Sequence, residues 1–367
     1  MNTQQTATRA LTRLSLAIAI TLPVGLAGCD RAEQVHAPPA GTPEALDFAL
    51  ESRVNDTIVP SIEAFADSAQ ALDQASEAFC EHPVTDTLED ARSAWNEASA
   101  RWNRAVIYNF GPLNDDIFAP KIHSIESMRQ RGIDYSAKVR HEIERQLAAD
   151  GTLDTAHFDA LRHDQTGLLP VEILLFESTA DGHPQAAEAV VEDFHDHPRK
   201  CDYLLGVTER LANDAGYVEA GWTYAFKDTE TPYRELFLAG ELDQGGRPLA
   251  VLLVSVQEHL DYLQRRKLEG MQDARLAGRF YVNAAATIEE IEALVGGEHG
   301  LLAEAEARGH TETATAIRKA LDRAVRAAAN EDRKALTTQV DLLWKLFRER
   351  LPDALGVELG LNFSDGD

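Results

Sequence analysis

Apolar residues recur at steps of three and four along most of this chain, and that period constrains its fold more than any other feature. Trp95, Ala98, Trp102 and Val106 form one such stripe. Leu252, Val256, Leu260 and Leu263 form a second, and Leu336, Val340, Leu343 and Phe347 a third. A repeat near 3.6 puts these side chains on one face of an α-helix, whereas a half-buried strand alternates every second residue. Strand-type alternation is nearly absent. The spacing predicts helices over 44–80, 85–110, 136–149, 155–161, 249–268, 276–294 and 311–329, with Phe110-Gly111-Pro112 stopping the second. Helices of this kind bury their stripes against one another, so the expected fold class is all-α, two helical-bundle halves packed together. The tryptophans read as core. Gly, Pro and aromatic residues break the period over 216–248, which sets an N-terminal bundle at 44–215 and a C-terminal bundle at 216–367.

The segment ahead of the helices has a different chemistry. Arg9 and Arg13 precede an apolar, small-residue run from Leu14 to Gly28, which ends in Leu26-Ala27-Gly28-Cys29. That run falls short of the roughly 20 residues a membrane-spanning helix needs, so 1–28 reads as a lipoprotein signal peptide cleaved before Cys29. The Cys29 thiol is then the expected lipidation site, anchoring the chain to a membrane on the periplasmic side of a bacterial envelope. Ordinary secretion with an unrelated cysteine is the alternative. Asp30, directly after the cysteine, points toward the inner membrane. Residues 29–43 are polar, Pro-rich and aperiodic, and are read as a tether.

Asp and Glu number 61 against 35 Lys and Arg, a formal charge of −26. Such a surface repels nucleic acid, which is excluded as a partner, and concentrates cations without specifying a site for them. Hydrophobic residues at 44% keep the chain out of the disordered class. Past Cys29, only Cys80 and Cys201 remain, outside any CxxC motif. An even pair in an exported chain points to a disulfide, with two unpaired buried thiols as the alternative.

Glu172 stands inside the apolar run Gly167-Leu-Leu-Pro-Val-Glu172-Ile-Leu-Leu-Phe176-Glu177, just after residues suited to starting a helix. A carboxylate buried there must pair with Arg or His, cap backbone amides, bind a metal or stay protonated. His259, beside Glu258, lies near the stripe of the 249–268 helix and either faces Glu172 across the junction or is a satisfied core histidine. His123 and Glu126 would share a face if helical. His195-Asp196-His197 reads as a solvated helix end rather than a metal site. HExxH, GxSxG, Walker, GxGxxG and CxxCH motifs are all absent.

The run GLLPVEILLFE resembles the Gly-x-His-x-x-Glu signature of the imelysin-like family, peptidase family M75. WNRAVIYNFGPL at 102–113, APKIHSIESMRQRGIDY at 119–135 and the C-terminal LPDALGVELGLNFSDGD resemble its bacterial lipoprotein branch. The resemblance implies a two-part helical fold, an exported location and association with iron uptake, and some members are described as peptidases. Gly167 and Glu172 match the signature, but Leu169 stands where the family has His. Leucine neither ligates a metal nor moves a proton, so no catalytic residue carries over and the chain reads as a binder rather than an enzyme. The expected cofactor is iron or another divalent or trivalent metal, with Glu172, His259, His123 and Glu126 as candidate ligands. An envelope redox or iron-transport protein is the expected partner. An M75-type peptidase or hydrolase is the alternative, and a docking module for a redox partner is a further one.

Overall fold

The computed structural model describes residues 37–359, except 117, 127–133, 180, 243, 244 and 272. The proposed cleavage site and Cys29 lie outside the described residues. Residues from Ala37 onward form one compact unit, and the described residues are helical with no strand. None of their helices is long and apolar enough to cross a membrane.

Helix α1 (Pro43–Arg53) opens with Thr42 capping the amide of Ala45 at 3.1 Å and Pro43 in the first turn. It runs through a wide π turn, Val54–Ile58, into α2 (Val59–Glu81). A three-residue turn leads to α3 (Thr85–Ala105), which packs along α2. The helix stops five residues before Phe110-Gly111-Pro112. Phe110 is instead drawn into an aromatic cluster, 5.7 Å from Trp222 and 5.1 Å from Phe237 between ring centroids. Short helices follow: α4 (Lys121–Ile125), α5 (Ser136–Leu147), α6 (Thr155–Asp159), α7 (Leu168–Phe176) and α8 (Ala187–Asp196). Then α9 (Arg199–Thr223) returns along α2. Cys80, at the end of α2, is disulfide-bonded to Cys201, at the start of α9, with Cα atoms 5.5 Å apart.

Residues 215 and 216 both lie within α9, so the chain leaves its first set of helices at Tyr224. The second set begins with α10 (Tyr233–Ala239) and α11 (Pro248–Tyr262). A π turn, Leu263–Lys267, carries α11 into α12 (Leu268–Gly270). Next come α13 (Phe280–Val295), α14 (Leu301–Ala307), α15 (Thr311–Ala329) and α16 (Arg333–Lys345), then a third π turn and α17 (Leu351–Leu355). α15 packs on α13 and α16, while α13 also packs on α3 and so joins the two sets. All three stripes are buried. α13 starts at Phe280 rather than 276 because Ala274 and Gly278 hold positive φ angles that a helix cannot use.

Candidate functional site

The polar heart of the molecule grows from the start of α7. Gly167 has φ +80, and a Cβ there would lie 2.2 Å from the Ile125 carbonyl oxygen and 2.4 Å from that of Ser124. Only glycine permits this approach. It seats the Gly167–Glu172 segment directly against the end of α4, where Glu126 follows Ile125. Two side chains fasten the contact: Thr166 Oγ1 donates to Ser124 O at 3.0 Å, and Trp95 Nε1 donates to Leu168 O at 3.0 Å.

Glu172, on α7, is 3% exposed. Its Oε1 accepts the backbone N–H groups of Leu276 and Ala277, at 2.8 and 3.1 Å. Burial is the main cause that raises its pKa to about 8; the two amides pull the other way, and Asp273 and Glu177 add to the rise. Of the four fates open to a buried carboxyl, two hold together: it caps amides, and at neutral pH it is mostly protonated. Glu177, at the end of the same run, is bound on both oxygens by Arg140, at 2.5 and 2.7 Å.

Glu126 lies one residue past the last turn of α4, with φ −130 and ψ 88, so it does not share a helical face with His123. It turns inward instead. Trp102 Nε1 donates to Oε2 at 2.6 Å, and Tyr262 O–H donates to Oε1 at 2.7 Å. The Lys267 ammonium sits 2.9 Å from Glu126 Oε1, 3.3 Å from Asp273 Oδ1 and 2.8 Å from Asn103 Oδ1. Lys267 is 1% exposed. Burial alone lowers its pKa, but Asp273 and Glu126 outweigh that and leave it raised. Asp273 is also raised, by its own burial first, although Lys267 opposes the shift. Asn283 Nδ2 bridges Asp273 Oδ2, at 3.2 Å, to Ser99 Oγ, at 2.9 Å, and Thr287 Oγ1 donates to Asn103 O at 2.9 Å. The network therefore stitches α3, the α11 π turn and α13 together.

The segment 271–279 serves both Glu172 and Lys267. It supplies Asp273 to the lysine and two amides to the glutamate, with Met271 and Ala274 both in the left-handed region at φ 48 and 49. Non-glycine residues there cost about 1–2 kcal/mol each, a strain the surrounding contacts must hold.

Several candidate residues lie elsewhere. His259 is fully buried in α11, its ring centroid 6.0 Å from that of Tyr262, while Glu258 is half-buried. His123 is half-buried, 6.3 Å from the His163 ring. His195, Asp196 and His197 occupy the exposed end of α8, where His197 Nδ1 meets Asp193 at 3.0 Å. Among the described residues, no three His, Cys, Asp or Glu side chains converge as a metal-binding set. Glu126 already faces a built-in cation and Glu172 already caps amides, so Glu172, His259, His123 and Glu126 do not fit a single ion. The sequence reading missed Lys267, Asp273, Asn103 and Asn283 and took Trp102 as core alone. One signal was present: Lys267 lies four residues past Leu263 and so continues the buried stripe.

Residues 58–357 match the sequence model of the family described as Imelysin, peptidase M75. The chain belongs to the imelysin family. Its fold is that of an imelysin-like protein from Psychrobacter arcticum, with a TM-score of 0.67 and 17% identity over 89% of this chain and 99% of that one. A crystal structure of an iron-regulated protein A precursor from Parabacteroides distasonis is similar at TM-score 0.59 and 16% identity, covering 86% of this chain and 97% of that one. In sequence, 69 residues are 33% identical to the iron-regulated protein A of Synechococcus elongatus. That match spans 19% of this imelysin and 19% of the cyanobacterial protein.

Proposed function

We propose that this imelysin serves iron acquisition at the bacterial cell envelope by binding rather than by hydrolysis, held to its membrane by a lipid on Cys29. The observation that carries the reading is the state of Glu172. A general base or a metal ligand must be reachable by the proton or ion it takes, whereas this carboxyl is 3% exposed and one of its oxygens is held by two backbone amides. Leu169, in the place of the signature histidine, removes the other half of a metallohydrolase pair. The relatives named as iron-regulated support the link to iron.

The test is genetic and enzymatic. A host strain lacking the chain is expected to grow poorly under iron limitation, with growth restored by the wild-type and Glu172→Gln alleles. The Cys29→Ser allele is expected to leave the membrane fraction and to fail in restoring growth. Unfolded proteins and short peptides are expected to stay intact with the purified protein, with or without chelator. Chelator-sensitive cleavage that Glu172→Gln abolishes establishes a peptidase instead, and normal iron-limited growth of the deleted strain removes the iron reading.

A further inference from the structure

Large apolar side chains left in solvent are informative when they gather in one place. Among the described residues, Phe118 is 91% exposed, Tyr224 80% and Tyr217 43%. The remaining exposed ones, Val84, Val282 and Leu342, stand one each at α3, α13 and α16. Tyr217 and Tyr224 belong to the last turns of α9, and local packing brings Phe118 to the same place. Asp214, Tyr217 and Gly221 form one row of α9, which Lys121, Asp115 and Pro112 meet in reverse order. Lys121 Nζ lies 2.6 Å from Asp214 Oδ1, the Tyr217 O–H donates to Asp115 Oδ2 at 2.5 Å, and a Cβ on Gly221 would lie 2.6 Å from Pro112 Cγ. The Lys121 ammonium also sits 5.3 Å from the centre of the Tyr217 ring. Phe118 falls between Asp115 and Lys121, both in contact with Tyr217, so it leaves the surface on the Tyr217 side of α9. Its backbone is fixed there by Asp116, whose Oδ1 accepts the amides of Phe118 and Ala119 at 2.8 and 3.2 Å.

We propose that Phe118, Tyr217 and Tyr224 form the docking face for a protein partner that presents Lys or Arg side chains around an apolar seat. The charges beside the aromatic rings select that occupant. Asp115 and Asp116 are bonded to a hydroxyl and to backbone amides, so neither carboxylate is neutralised. The nearby cations do not offset them: Lys121 is held by Asp214, and Lys227, over the Phe226 ring, is followed by Asp228 and Glu230. The rim is therefore acidic. A second copy in a two-fold contact would set this face, with its aspartates, against itself. Anionic lipid headgroups would meet the same carboxylates. A basic-rimmed protein surface answers both features, because aromatic anchors carry binding at the centre of an interface while opposite charges around them steer encounter and fix register. The face shares no residue with the reading of Glu172 and Cys29, so the two stand or fall separately.

Photo-crosslinking in the host cell tests the proposal, with Phe118→p-benzoylphenylalanine and Tyr224→p-benzoylphenylalanine as probes and Leu342→p-benzoylphenylalanine as the control. Both probes are expected to give an adduct with the same protein, and the control none. Mass spectrometry of the adduct should place the crosslink in a segment of net positive charge. Asp115→Asn/Asp116→Asn keeps the acceptors for the Tyr217 hydroxyl and the two amides but removes both charges, and the yield should fall several-fold in that background. A synthetic peptide of the crosslinked segment should bind the purified protein, more weakly as salt is added and about tenfold or more weakly to Phe118→Ala. Phe118 is nearly free of packing, so this variant should keep the wild-type melting temperature. The proposal is overturned by no adduct from either probe, by the same adduct from the control, or by a crosslink to lipid, to a second copy or to another part of the same chain. A crosslinked segment of net negative charge, or a yield unchanged in the Asn variant, overturns it as well.

Discussion

At Glu172 the burial that keeps the carboxyl neutral also sets how the fold answers to pH. An unfolded glutamate ionises near 4.5, but here the folded pKa is about 8. Between those values the native state holds a proton that the unfolded state has released, so stability falls as pH rises through the window. Below it both states are protonated, and above about 8 the loss is complete. Glu172→Gln keeps an acceptor for Leu276 and Ala277 but cannot ionise. Its stability relative to wild type is expected to climb with pH between about 5 and 8, by up to about 1.4 kcal/mol per pH unit, in urea unfolding curves. A difference that stays flat across that range refutes the shifted carboxyl. Asp273 is present in both proteins and largely cancels. Gly167→Ala tests the other end of the segment. It forces an L side chain to positive φ against two carbonyl oxygens, and a loss of about 3 kcal/mol or more is expected in the same measurement. Both residues were legible in the sequence, Glu172 as a charge in an apolar run and Gly167 as a helix-start glycine. The partners were not, because Ser124, Ile125, Leu276 and Ala277 are distant in sequence and meet Gly167 and Glu172 only through packing.

Lys267 closes a widened helical turn at the end of α11. The π turn Leu263–Lys267 widens the end of α11, and such turns recur at functional sites. Arg265 and Arg266 remain exposed while Lys267 is buried against Glu126 and Asp273. Read as a string, Arg265-Arg266-Lys267 looks like a solvated charge run, and this is why local composition hid the cluster. The end of α3 was misread for a related reason. Gly111-Pro112 is a valid stop signal, but the aromatic cluster around Phe110 pulls the chain out of the helix earlier. Tertiary contacts override local punctuation at both places. Lys267→Met leaves Glu126 and Asp273 buried without their cation, and a loss of about 3–5 kcal/mol is expected near pH 8. The loss should shrink toward pH 5, as the two carboxyls take up protons instead. A loss that does not change with pH means that packing of the lysine stem, not its charge, holds the turn.

Across the whole molecule, the apolar stripes predicted helices that all bury their marked faces, because a period of 3.6 reports burial directly. The way those helices assemble was less visible. α9 runs through the expected junction at 215/216 with its period unbroken, so that position falls inside a helix. The Cys80–Cys201 bond acts at this scale, since it ties the end of α2 to the start of α9 across 121 residues. All of α3 through α8 lies within that loop. In the chain-entropy model, closing a loop of this length constrains the unfolded state by about 5 kcal/mol, and measured values fall between about 2 and 5. The Cys80→Ser/Cys201→Ser protein is therefore expected to unfold at lower guanidinium concentration than wild type, with a difference of about 2–5 kcal/mol. Reductant should move the wild type to the same midpoint. The native helix contents of the two proteins should agree, because α2 and α9 pack along their lengths independently of the bond. If the variant instead loses helix content before denaturant is added, the bond holds the α2–α9 pair in the native state, and the loss no longer measures loop closure alone.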